Sequence, residues 1–276
     1  MIPAPSRTGG TAAAGLGYAV AAYVLWGVLP VYFVALAPSG PIEIVSWRVV
    51  LSLVFCAALL VVVRGWGRTI ALLRNARVMG WLALAAVLIT VNWLVFVYAV
   101  DTDRVLEASL GYFINPIVSV LIGVLLLRER LRRLQWAAVA VAGVAVVVLI
   151  AFHGEFPWLA LTLACSFGFY GYVKNRTGSR VDAASGLAIE TAVLTPVAIG
   201  ALIWVQLTSG LTLGGHGTWH TVLLLSAGAI TAVPLILFAA GARRLPLSII
   251  GLVQFFAPVM QFLTGWLLLG EPMPPA

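Results

Sequence analysis

The residues of this chain that could do chemistry are few, and the most telling of them sit where polarity is expensive. Only 9% of the 276 residues are charged. Yet Arg48, Asn92, Glu107, Asn115, Glu190, Gln254 and Gln261 all fall inside long apolar runs. A charge at the centre of a lipid-embedded helix costs about 2.5–3.5 kcal/mol on insertion scales, so each such group needs a partner or a water-filled cavity. Arg48 and Glu190 are opposite in sign and 142 residues apart. Glu107, Gly111 and Asn115 step by four, which keeps them on one helix face. Gln254, Pro258 and Gln261 share a stripe, because seven residues return almost to the same angle. Tyr112 and Trp26 add deep aromatic faces suited to a flat solute. Pro30, Pro116 and Pro258 interrupt the same runs and are candidate hinges. A proline in such a helix frees a carbonyl one turn earlier, which can then coordinate a solute or a neighbouring side chain.

This is the chemistry of recognition and passage, not of bond making. No Ser–His–Asp arrangement, phosphate-cradling glycine loop or nucleotide motif is evident, so no catalytic residue and no cofactor is expected. His153, His216 and His220 are expected in external loops, and Gly217 between the last two argues against a metal site. Each candidate also has a plainer reading. Arg48 and Glu190 could snorkel to the nearer interface or make structural ion pairs. Asn92 and the stripes of Asn115 and Gln254 could be interhelical glue.

The elements that must position these residues follow from composition. The chain is 62% apolar with a mean hydropathy of +1.09, so its solvent is lipid. The apolar runs are close to 20 residues and do not alternate, which selects helices over barrel strands. The expected class is an all-α integral membrane protein. Spans are expected near 17–36, 42–63, 79–99, 105–127, 134–152, 156–173, 184–205, 221–240 and 247–269, nine in all. The N-terminal segment reads as an uncleaved first span. Cys56 and Cys165 lie in apolar runs and read as packing residues.

Charge assigns the sides. With the N-terminus in the cytoplasm, 14 of the 16 basic residues fall in breaks on the inner side, Arg104 alone falls outside, and Arg48 is within a span. That is a strong positive-inside signal. The net charge of +7 therefore reads as topology and contact with anionic lipids on the cytoplasmic side, not as nucleic-acid binding. The expected location is a bacterial inner membrane.

One segment occurs twice. SLGYFINPIVSVLIGVLLLRE at 109–129 returns as GLVQFFAPVMQFLTGWLLLGE at 251–271, with nine of 21 positions identical. The first copy is span four and the second span nine, an odd offset, so the two halves are expected upside down relative to one another. The halves are 1–152, with five helices, and 153–276, where the fifth helix is missing. Either the sequence is cut short of a ten-helix protein, the reading favoured here, or the chain works with nine spans. The same register relates Arg48 to Glu190, as the possible two mouths of one pathway, and Tyr112 to Gln254.

Several longer segments resemble the RarD-type permeases of the EamA branch of the drug/metabolite transporter superfamily. They include AAYVLWGVLPVYF at 21–33, IEIVSWR at 42–48, VLEASLGYFINPIVSVLIG at 105–123, RERLRRLQW at 128–136 and RRLPLSIIGLVQFFAP at 243–258. The family typically has His before the span-two arginine, where this chain has Trp47, so a proton-linked role for that His does not carry over. The resemblance implies ten helices and secondary-active export or exchange of a small metabolite or drug-like molecule, with chloramphenicol resistance attached to the family name. Two other readings remain: an integral-membrane enzyme acting on lipid or isoprenoid, for which the scattered acidic residues are a poor fit, and a non-transporting membrane protein. Substrate, coupling ion and oligomeric state are not readable from the residues.

Overall fold

The computed structural model describes residues 9–101, 105–153 and 157–263, and among these it contains no strand. The helices in chain order are α1 (Gly9–Gly27), α2 (Leu29–Ala35), α3 (Pro41–Val62), α4 (Trp66–Leu73), α5 (Ala76–Asp101) and α6 (Val105–Leu127). They continue with α7 (Arg133–His153), α8 (Trp158–Thr177), α9 (Ala183–Thr208), α10 (Gly217–Ala242), α11 (Leu247–Val253) and α12 (Phe256–Leu263). Four helical stretches are long and apolar enough to cross a membrane: α3, Ala76–Phe96 of α5, α9 and α10. Shorter apolar stretches, Ala12–Gly27, Gly111–Leu127 and Leu247–Met260, accompany them. The outward side chains name the solvent. Val62, Leu125, Leu134 and Leu207 are all exposed, a surface that water would drive to aggregate and that hydrocarbon accepts. The protein is an all-helical, multi-pass membrane protein.

Proline explains two of the interruptions. The run expected as the first span is divided at Val28, with Pro30 in the first turn of α2. Pro30 has no amide for the carbonyl of Trp26, so the ladder of α1 stops there. The run from Leu247 divides at Gln254–Phe255, four residues before Pro258, and the Ala257 amide turns tightly onto the Gln254 carbonyl at 3.1 Å. Pro116, by contrast, sits inside a continuous α6, and Pro196 and Pro234 sit inside continuous α9 and α10. A kink at Pro116 therefore does not take the form of a broken helix.

Helices pack α3 on α9 and α10, α6 on α8 and α11, α5 on α8 and α9, and α1 on α10 and α12. Small residues make this possible. Ala19, Ala22, Ala85, Ala86, Ala160 and Ala164 are fully buried, which lets backbones approach closely in the absence of a hydrophobic drive between helices. The tightest approach sets Gly228 of α10 against the Leu51 carbonyl of α3, with no space for a Cβ. Gly27 meets the Met260 side chain as closely, so the end of α1 packs on α12, the stretch that follows the second break.

Three expectations need correction. The segment 64–77, expected as a break, contains α4. Its Thr69 is buried and hydrogen-bonds Ser185 Oγ at 2.8 Å, while Trp66, Ile70 and Leu73, spaced on one face, are exposed. His220, expected in a loop, is buried in α10, where its Nε2 lies 3.0 Å from Ser39 Oγ and 3.2 Å from the Leu36 carbonyl. Cys56 is buried, but Cys165 is exposed on the outside of α8 and does not pack the core.

Candidate functional site

Glu190 lies one-quarter of the way along α9, with 1% of its surface exposed. Burying a carboxylate without a partner costs several kcal/mol. Its partner is Lys174, which the charge pattern had assigned to a cytoplasmic break. Instead α8 continues to Thr177, and Lys174 is 5% exposed inside it. Lys174 Nζ is ion-paired with Glu190 Oε1, and the Tyr170 hydroxyl donates to Oε2 at 3.2 Å. The Lys174 ammonium also sits 5.1 Å from the centre of the Tyr170 ring. Below this pair lies an aromatic cluster. Tyr170 stacks on Phe238 at 6.0 Å, and Phe238 touches Tyr23, Trp26 and Phe167 at 6.2, 5.7 and 5.4 Å. Trp26 thus belongs to a box of rings contributed by α1, α8 and α10.

Arg48 is held differently. No carboxylate among the described residues pairs with it. Its Nε donates to Thr231 Oγ1 of α10 at 2.9 Å, and its guanidinium lies 5.3 Å from the Phe33 ring centre and 5.4 Å from that of Trp93. A guanidinium flanked by two aromatic faces is stabilised by the ring quadrupoles without being neutralised. Arg48 and Glu190 occupy matching places in α3 and α9, yet their surroundings differ. One is a cation held by rings and a hydroxyl; the other is an anion committed to a lysine.

The polar stripes do meet across the helix seam. Ser119 Oγ donates to Gln254 Oε1 at 3.4 Å between α6 and the break after α11. Gly251 lies against the Pro116 carbonyl, where a Cβ would be 2.8 Å away. Asn115 is 4% exposed, and its Oδ1 has no hydrogen-bond partner among the described residues; the same holds for the Tyr23 hydroxyl. Asn92 donates to the Leu163 carbonyl at 2.9 Å and to Ser166 Oγ at 3.0 Å, both on α8. Tyr112 packs on Phe96 at 6.2 Å. The side chains of Glu107 and Gln261 lie outside the described residues. Of three cavities around these helices, none is lined by Arg48, Asn92, Tyr112, Asn115 or Gln254. An apolar one of about 350 Å³ opens beside the first break, between Leu25, Tyr32, Val233 and Pro234.

Comparison with known proteins decides the family. The family model described as the EamA-like transporter family matches residues 13–151. Protein RarD of Streptomyces exfoliatus is 46% identical over 261 residues, which is 95% of this chain and 82% of that protein. The chain belongs to the EamA-like transporter family. Protein RarD of Escherichia coli K12 is 40% identical over 93% of this chain and 86% of its own length. A Pseudomonas aeruginosa relative named chloramphenicol-sensitive protein RarD is 33% identical over 95% and 87%. A solved crystal structure superimposes on 98% of the chain and 92% of its own with a TM-score of 0.65; at 20% identity it speaks to the fold alone. Within the family this is a RarD-type permease of the drug/metabolite transporter superfamily, a multi-pass membrane transporter.

Two features of this EamA protein were not foreseen. One is the Lys174–Glu190 pair. Lys174 ends an apolar run and so looked like a topology signal; only its sixteen-residue distance from Glu190, across one short turn, could have hinted at pairing. The other is Glu129. After Arg128 turns with a φ of +54°, the Glu129 carboxylate reaches over Gly123 and accepts the amides of Leu247 and Ser248 at 2.7 and 2.8 Å. It caps the first turn of α11, where an anion is favoured by unpaired amides and by the helix dipole. A Cβ at position 123 would stand 2.8 Å from that carboxylate. The glycine and the glutamate repeated within the 21-residue segment are therefore parts of one device.

Proposed function

We propose that this chain is a secondary-active permease that moves a small metabolite or drug-like molecule by alternating access between two inverted halves, 1–152 and 153–276. One observation carries the reading. The side-chain hydrogen bonds that tie Tyr32, Ser39, Glu43, Arg48, Ser52, Thr69, Asn92, Ser119 and Glu129 to other helices all end in the second half. Polar contacts gathered on a seam between two bodies are those that can be exchanged when one body rocks against the other. Helix starts in the 142-residue register, Pro41 with Ala183 and Val105 with Leu247, support the inverted relation. So does the pairing of α3 with α9 and of α6 with α11.

The solute would bind mid-membrane along this seam. Arg48, Asn115, Tyr112 and Trp26 from the first half would meet Gln254 from the second. Asn115 Oδ1 and the Tyr23 hydroxyl support this, since a buried unpaired polar group costs about 1–3 kcal/mol and a solute or water could supply the missing bond. Breaks near Pro30 and Pro258 would supply the hinges, and Pro116 a freed carbonyl. The basic residues orient the N-terminus to the cytoplasm of a bacterial inner membrane. The name of the Pseudomonas relative suggests chloramphenicol as one solute to try. The test is counterflow in proteoliposomes. Exchange of a preloaded solute with an external one, over a broad panel of amino acids, organic acids and amphiphilic drugs, is the expected result. No exchange with any of them would sink the reading.

A further inference from the structure

A second candidate site also bridges the two halves, but none of Arg48, Asn92, Tyr112, Asn115 or Gln254 lines it. Between the first turn of α5 and the end of α8 is a cavity of about 510 Å³, lined by Arg77, Trp81, Arg176, Thr177, Ser179 and Arg180. None of the three guanidinium groups has a carboxylate partner among the described residues. Asp182, the acid nearest in sequence, accepts the Ser185 amide at 3.0 Å and caps α9. Lys174 and Glu190, one turn deeper, neutralise each other.

The cavity has a fixed frame. The Arg180 and Val181 amides both donate to the Thr177 carbonyl, at 2.9 and 3.0 Å. Gly178 packs on Arg243 with no room for a Cβ, which holds the turn bearing Ser179 and Arg180. Arg77 and Trp81 are four residues apart and share a face of α5, and Trp81 rests edge-on against Tyr172 at 6.2 Å. Beneath, Val78 and Val181 join Leu82, Ile189 and the α4 residue Leu72 in an apolar cluster. That floor continues into α4, whose Trp66, Ile70 and Leu73 are exposed.

Three guanidiniums around one space repel each other and are relieved by a polyvalent oxyanion, which each can grip with two parallel hydrogen bonds. Ser179 adds a hydroxyl donor; that of Thr177 is committed to the Val173 carbonyl at 2.8 Å. An aromatic side chain at the rim and an amphipathic helix alongside suit a ligand that carries apolar chains as well. We propose that this cavity binds a phosphate headgroup, supplied by an anionic phospholipid whose acyl chains run along α4.

The purified full chain would be examined by native mass spectrometry and thermal melting with phosphatidylglycerol, with phosphatidylcholine and with inorganic phosphate. Variants would be R77Q/R176Q/R180Q and, as a control on the same charge face, R128Q/R132Q. At about fivefold per arginine near a membrane surface, the triple variant should lose roughly a hundredfold in phosphatidylglycerol affinity. The control should lose little, and R77K/R176K/R180K should fall between. Stabilisation by inorganic phosphate, lost in the triple variant and without preference between the lipids, would support the site and assign it to a soluble phosphate compound. Equal retention of phosphatidylglycerol by the triple variant and the unmodified chain would overturn the proposal. So would an equal loss in the control.

Discussion

At the scale of single residues, the two membrane charges behave as opposites in more than sign. Removing the Lys174 ammonium leaves Glu190 buried with only the Tyr170 hydroxyl. Breaking a buried pair from one side costs about 3–5 kcal/mol, whereas replacing both members with apolar groups of similar volume is often neutral. Lys174→Met should therefore lower the melting temperature sharply in detergent, and Lys174→Met with Glu190→Met should recover most of it. Counterflow then distinguishes structure from mechanism: the double variant is expected to fold and not to transport. Full transport by the double variant would reduce the pair to a structural strut. Arg48 has no such exit, because rings and a hydroxyl hold it without neutralising it. Arg48→Gln should keep the fold, since no buried anion is orphaned among the described residues, and should lower counterflow tenfold or more. Thr231→Val, which removes only the hydroxyl acceptor, should cost less. Equal, near-normal flux in both would remove Arg48 from the pathway.

At the scale of elements, helix ends carry information that hydropathy does not. The α11 cap is supplied by a glutamate 118 residues earlier, so the segment that follows α6 is tied to the start of α11. Loss of such a cap costs about 1–2 kcal/mol. Glu129→Ala should speed amide exchange at Leu247 and Ser248 by about five- to thirtyfold. Gly123→Ala, whose Cβ would displace the carboxylate, should do much the same. The double variant should be no worse than either single one, because both remove a single contact. Additive effects would show that Gly123 acts by packing alone. The contact of α1 with α12 gives a second coupled pair. Gly27→Ala places its Cβ on that of Met260, so shortening Met260 to Ala brings no relief, while Met260→Gly should. Rescue of melting temperature and expression by Met260→Gly and not by Met260→Ala is the expected pattern, and equal rescue by both would mean the helices slide apart freely.

At the scale of the whole molecule, much was legible in the sequence and the gaps have physical causes. Length and hydropathy of the apolar runs located α3, α5, α9 and α10, because a bilayer admits little else. Prolines located the breaks near Val28 and Gln254, yet Pro116 sits in an unbroken α6, since a tightly packed neighbour such as Gly251 can hold a proline-bearing helix together. Lys174 was misassigned because a basic residue at the end of an apolar run means the same to a hydropathy scan whether it faces water or a buried glutamate. The amphipathic α4 is hidden in the sequence because its eight residues are too few for a span and sit between arginines that read as a connecting loop. What the repeat conveyed was a 142-residue register, in which Pro41 and Ala183, and Val105 and Leu247, begin helices; that the side-chain bonds of residues 1–152 named above end in residues 153–276 was not legible in it. This has a consequence for folding. Residues 1–152 alone would leave Arg48, Asn92, Ser119 and Glu129 without their partners, and residues 153–276 alone would strand the faces of α8, α9 and α10 that α1, α3 and α5 cover. Each fragment expressed singly should be degraded or aggregate, while the two expressed together should assemble and restore at least roughly a tenth of intact counterflow, since association of membrane helices needs packing and not covalent continuity. A monodisperse, helical first fragment on its own would show instead that the halves are independent folding units, and that the seam between them is a docking surface formed after folding.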